Sequence, residues 1–174
     1  MPLGSPVRYI LVMSKYWTKP RIVFLAWAIA ELVGWLTTHF FFLSPTANWI
    51  WLGLSIIAFI PMVMYMKMKV AKLRNIMILW VVTVALGLAA SFLCFSVSWL
   101  TWLAPYLGGF WLILMGVAFL INAIWWTPRL FIIGGLLQIV AGVLAVFVPA
   151  LVAYQYIVAA VAGTGGMLIL LPNK

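Results

Sequence analysis

The placement of charge constrains this chain more than any other feature. All ten Lys and Arg fall in five places: Arg8, Lys15, Lys19 and Arg21; Lys67 and Lys69; Lys72 and Arg74; Arg129; and Lys174. Between them the only charged residue is one acid, Glu31. Long apolar runs bounded by cations are how hydrocarbon spans look, each crossing needing about 17–25 residues. Composition agrees, with 68% apolar and 6% charged residues, against about 45–50% and about 25% in soluble domains. These 174 residues are therefore expected to be membrane domain throughout, with no room among them for a separate soluble domain beside the spans.

Cutting the runs at charges, prolines and polar clusters predicts six spans, at 22–43, 47–66, 75–97, 104–126, 129–148 and 151–171. The predicted fold is an all-α polytopic membrane protein, a six-span helix bundle made of three antiparallel hairpins, 22–66, 75–126 and 129–171. Residues 1–21 form a basic cytoplasmic or interfacial segment, 22–171 the membrane domain and 172–174 a cytoplasmic tail. With six spans every Lys and Arg falls on one side, and the connections near 44–47, 98–103 and 149–150 carry none. Short-loop cations mark the cytoplasmic face, so both termini are expected inside, in a multi-pass protein of the cell membrane. A five- or seven-span cut breaks this partition. Arg21, the run Ile22–Trp27 and Ala28-Ile29-Ala30 look like a cleavable signal, but apolar sequence continues through Leu32–Leu43, which points to an uncleaved first span.

Aromatic residues are expected at the headgroup level: Tyr16, Trp17, Trp125 and Trp126 at the inner edge, and Trp49, Trp51, Trp99, Trp102, Tyr106, Tyr154 and Tyr156 at the outer. Residues 7–19 read either as a short amphipathic helix on the inner surface or as an irregular tail. The charge excess is matched by anionic lipid headgroups rather than nucleic acid. Further partners expected are protein subunits or a second copy of the chain.

Helices pack closely in lipid where small residues let backbones approach. Such spacings are Ala26/Ala30, Gly87/Ser91, Gly109/Gly116, Gly135/Gly142, Ala141/Ala145 and Ala159/Gly163. The second span has few small residues and is expected to face lipid. Ala30-Glu31-Leu32-Val33-Gly34 is similar to the first span of small multidrug-resistance transporters, whose motif places a glutamate there; those transporters have four spans. Phe131 to Leu170, with Gly134-Gly135, Gly142, Pro149 and Gly165-Gly166, resembles a hairpin of the three-hairpin acid-resistance membrane proteins. Each resemblance covers one segment, and neither assigns a family.

With one Glu, no Asp, one His and one Cys, the chain lacks paired carboxylates, a Ser-His-Asp triad and a multi-ligand zinc site. Haem held by two histidines would need a partner for His39; ligation by His39 and a Met is the one set left, with nothing else to support it. Gly163-Thr164-Gly165-Gly166 lacks the lysine of a phosphate loop and reads as helix packing. No cofactor, metal or catalytic residue is expected, so an enzyme would need its chemistry from a partner.

Glu31 stands out. Ten residues beyond Arg21, it lies ~15 Å from the inner edge, near the midplane, where an ionisable group is a functional candidate by default. Ser55, Thr83, Gln138 and Thr164 reach ~13–18 Å above the same edge. This candidate midplane polar site has two readings. Glu31 hydrogen-bonded to Gln138, a Ser or a Thr would pin helices together in a non-catalytic membrane subunit or scaffold. Alternatively, Glu31 would carry a proton or cation in a small transporter. Asn122 is expected to cap or bridge near the inner end.

Overall fold

A computed structural model of the chain describes residues 20–41, 45–67, 69–125 and 128–171. Three of its long helices begin at proline: α1 (Pro20–Phe41), α2 (Pro45–Tyr65) and α5 (Pro128–Phe147). Proline suits the first helical position, where its missing N–H would have no partner within the helix. The other helices are α3 (Ala71–Ser96), α4 (Leu107–Trp125) and α6 (Gln155–Ile169). A 3₁₀ helix, Ser98–Tyr106, leads into α4, and one helical turn, Pro149–Val152, precedes α6. The segment 7–19, the tail 172–174 and the aromatic residues Tyr16, Trp17 and Trp126 lie outside the described residues.

Helices α1 to α5 are long and apolar enough to cross a bilayer; α6 is apolar but shorter, at 15 residues. The sixth span expected over 151–171 is interrupted because Tyr154 leaves helical geometry (φ −111°, ψ 10°) and the helix restarts at Gln155. Gln155 then does a second job. Its Oε1 accepts hydrogen bonds from the backbone N–H of Gly108 (2.9 Å) and Gly109 (3.3 Å), donors that the first turn of α4 cannot satisfy itself. Beside it the Tyr156 hydroxyl donates to the Ala104 carbonyl at 2.7 Å, so α6 is pinned to the 3₁₀ segment.

Successive helices alternate in direction. One cavity is lined by residues from the starts of α1, α3 and α5 and from the ends of α2, α4 and α6. Arg21, Lys67, Lys69, Lys72, Arg74 and Arg129 are all exposed at that same end, here called the basic end.

The packing does not follow the three hairpins. The most extensive contact joins α4 to α5, which the hairpin reading placed in different pairs, and the next joins α1 to α6. Glycine explains the first. A methyl group added at Gly109 would lie 2.8 Å from the Gly142 carbonyl oxygen, and one at Gly116 would lie 2.7 Å from that of Gly135. The converse distances, from Gly142 to the Gly109 carbonyl and from Gly135 to the Gly116 carbonyl, are 2.7 and 2.8 Å. Two glycines seven residues apart on each antiparallel helix therefore meet in register, and backbone rests on backbone. Helix α2 leaves Ile56, Ile57, Ile60, Val63 and Met64 exposed.

Candidate functional site

Glu31 lies inside α1 and is 5% exposed. Its partner is neither Gln138 nor a hydroxyl. The Trp35 indole N–H, one turn up the same helix, donates to Glu31 Oε2 at 2.6 Å. Residues four apart on a helix are stacked neighbours, and the indole reaches back to the carboxyl. On the other side the carboxyl is covered by α6, where a methyl group at Gly163 would lie 2.8 Å from Oε2. The seat needs glycine.

Gln138 of α5 lies one turn along the same glycine face of α6: a methyl group at Gly166 would collide with its Nε2. Glu31, Trp35, Trp111, Met115, Gln138 and Gly163 share one crevice, too narrow to hold a water molecule. The Gln138 side chain is 1% exposed, and neither Nε2 nor Oε1 has a hydrogen-bond partner among the described residues. Thr164, half-buried on α6, donates to the Ala28 carbonyl of α1 at 3.4 Å. Of the five candidate residues, Glu31 and Gln138 are thus brought to one crevice, with Thr164 bonding α6 to α1 beside it. Ser55 and Thr83 are buried but do not line the crevice, and Thr83 donates to the Leu79 carbonyl of its own helix at 2.8 Å.

Above Glu31, away from the basic end, stands an aromatic column. Trp35 packs on Trp51 (ring centroids 4.5 Å apart) and stacks on Tyr156 (5.8 Å, 17° between planes), and Trp51 stacks on Trp111 (6.1 Å, 15°). Trp51 and Tyr156 are therefore buried in the bundle, whereas Trp49, Trp99, Trp102 and Tyr154 are exposed as belt residues would be. Both buried tryptophans of this column that come from α2 and α4 sit in the same kind of seat. Thr38 donates to the Gly34 carbonyl (2.8 Å) and accepts from Trp51 Nε1 (3.0 Å). Ser91 donates to the Gly87 carbonyl and accepts from Trp111 Nε1, both at 2.9 Å. In each case the glycine one turn before the hydroxyl makes room for the ring, since a methyl group at Gly34 or Gly87 would strike the indole. The Gly-x-x-x-Thr and Gly-x-x-x-Ser spacings are visible in the sequence, and so is Glu31 four before Trp35. What the sequence does not carry is which tryptophan fills which seat.

Asn122, expected to cap or bridge near the inner end, is 1% exposed, and its Oδ1 has no partner among the described residues. His39 is half-buried and lines an open groove with Thr38 and Tyr156 at the opposite end from the basic residues. Among the described residues no three His, Cys, Asp or Glu side chains stand together as metal ligands. The crevice offers one carboxyl held by an indole and one amide without a partner among the described residues. Compared with protein-family models, with curated proteins and with solved structures, the chain has no match.

Proposed function

We propose that this chain is a non-catalytic integral membrane subunit or scaffold in which Glu31 is a structural residue. One observation carries the proposal: the Glu31 carboxyl is bonded to Trp35, covered by Gly163 and set in a crevice too narrow for a water molecule. A group that exchanges protons or cations during transport needs a path for them. The partners proposed are anionic headgroups at the basic end together with protein subunits or a second copy of the chain. Both termini and the basic end are proposed to be cytoplasmic, in the cell membrane; the reading is supported by Arg21, Lys67, Lys69, Lys72, Arg74 and Arg129 standing exposed at one end under the positive-inside rule. A cysteine replacing Lys69 should label only from the cytoplasmic side, and one replacing Thr101 only from outside; the reverse pattern would overturn the orientation.

The competing proposal is a small transporter working through Glu31. It is favoured by the unpartnered Gln138 amide in the same crevice, which leaves a second arrangement of hydrogen bonds open to the pair. Infrared spectroscopy of the carboxyl, wild type against Glu31→Gln, separates the two between about pH 5 and pH 9. A structural Glu31 gives a band that holds one protonation state throughout, and Glu31→Gln keeps near-wild-type stability because its amide oxygen still accepts from Trp35. A band that titrates and responds to an added substrate overturns the scaffold proposal.

A further inference from the structure

At the basic end all six helices line one cavity, with Trp27 from α1, Met62 from α2, Trp80 from α3, Asn122 from α4, Phe131 from α5 and Met167 from α6. It stands one turn closer to that end than the Glu31 crevice, since Trp27 comes four residues before Glu31 and Met167 four after Gly163. The space open to a water-sized sphere is about 20 Å³. One water molecule needs about 10–15 Å³ by that measure, so the cavity has room for one and for nothing much larger.

The lining offers such a molecule both kinds of partner. Asn122 is almost fully buried, and its Oδ1 has no hydrogen-bond partner among the described residues. Trp27 and Trp80 bring indole N–H donors to the same lining. Elsewhere in the bundle the indoles of Trp35, Trp51 and Trp111 donate to side-chain oxygens. Trp27 and Trp80 instead pack ring against ring, on each other and on Phe59 and Phe119, which leaves the N–H able to donate. A buried acceptor or donor without a partner is costly. Water can donate to the one and accept from the other. A small cation cannot, because no lining residue is anionic and a buried charge must be paired.

We propose that this cavity holds one ordered water molecule, which donates to Asn122 Oδ1 and accepts from the indole N–H of Trp27 or Trp80. The bridge ties α4 to α1 or α3, and it gives the bundle a fixed internal site for water one turn from a crevice that admits none. The site is independent of whether the chain is a scaffold or a transporter.

The test is X-ray hydroxyl-radical footprinting of the full chain in lipid nanodiscs, with rapid mixing into water labelled with heavy oxygen. Radiolysis of a bound water oxidises the side chains beside it, and slow uptake of the heavy isotope marks that water as held rather than bulk. Met62 and Met167 should oxidise several-fold faster than Met115, which is as deeply buried but lines the crevice without room for water. They should also outpace Met66, which is as buried, nearer the basic end and outside the lining. In Asn122→Leu the leucine removes the acceptor and fills the water's space, so both members of the bond leave together. Oxidation of Met62 and Met167 should then fall to the level of Met115. Loss of labelling in Trp27→Phe or in Trp80→Phe names the indole; labelling unchanged in both overturns the bridge. The site is overturned if Met62 and Met167 oxidise no faster than Met115, if Met66 leads them, or if heavy oxygen appears at the rate of bulk mixing. Undiminished labelling in a folded Asn122→Leu overturns it too. The methionine comparisons use the wild-type chain, so they decide even if Asn122→Leu does not fold.

Discussion

Away from the basic end, Trp51 and Trp111 each donate to a hydroxyl that donates in turn to a helix carbonyl, and Gln155 satisfies two N–H groups of α4. Nearer the basic end, Asn122 and Gln138 are as deeply buried yet keep unpaired atoms. Inside a bilayer no bulk water enters to satisfy such groups. One half of the bundle thus uses most of its buried polar groups to hold helices in register, with Asn48 Nδ2 an exception that has no partner among the described residues, and the other half leaves both Asn122 and Gln138 with unpaired atoms. The division places rigidity in the aromatic column and leaves any capacity to bind or rearrange in the crevice and the cavity.

The severest way to break the first half is to fill a seat. Gly87→Leu should displace the Trp111 ring, and Gly142→Leu should push α4 and α5 apart, each costing ~3 kcal/mol, the upper part of the usual overpacking range. Gly53→Leu is the control, since nothing lies within 4 Å of a methyl group there, and its melting temperature in detergent should match wild type. If Gly87→Leu melts with Gly53→Leu, the seat is not a support.

A single oxygen atom sharpens the comparison further. Ser91→Ala strands the Trp111 N–H and should cost about 1–3 kcal/mol in thermal unfolding. Asn122→Leu removes a side-chain oxygen that has no partner among the described residues, so its stability should stay at or above that of wild type. Equal losses in the two variants would show that Asn122 has a protein partner after all. The smallest effect belongs to the surface. Trp99 is 72% exposed, and Trp99→Phe should stay within about 0.5 kcal/mol of wild type, while Trp111→Phe, which loses both the N–H and part of the ring, should fall visibly below it.

Much of this architecture can be read from the chain itself. The helices and their alternating direction follow from where Arg21, Lys67, Arg74 and Arg129 stand, and helical rise brings Glu31 and Gln138 to one level. Rotation about each helix axis is another matter. In a soluble helix polar residues mark the outer face, but here lipid and core are both apolar, so Ile76 and Ile78 look alike although one is buried and the other exposed. For the same reason Trp49 and Trp51 are alike in sequence and opposite in the fold. Pairing was partly legible: Gly109/Gly116 and Gly135/Gly142 share a seven-residue spacing that only an α4–α5 contact uses on both sides. Trp35 as the partner of Glu31 was within reach of the four-residue rule, and Gly163 as its cover was not, because that contact joins the first helix to the last.

That first-to-last contact bears on the order in which the chain assembles. Helices α4 and α5 are separated by two residues, 126 and 127, so their glycine faces can meet at a small loss of chain entropy. The pair α1 and α6 must wait until every intervening segment has been made and inserted, since contacts distant in sequence form slowly. Until α6 arrives, the Glu31 carboxyl has its indole but lacks the cover of Gly163. Closure by Gly163 is therefore a late event, and a nascent chain stalled before α6 would expose its one acidic group to the lipid and to whatever protein attends the membrane at that stage.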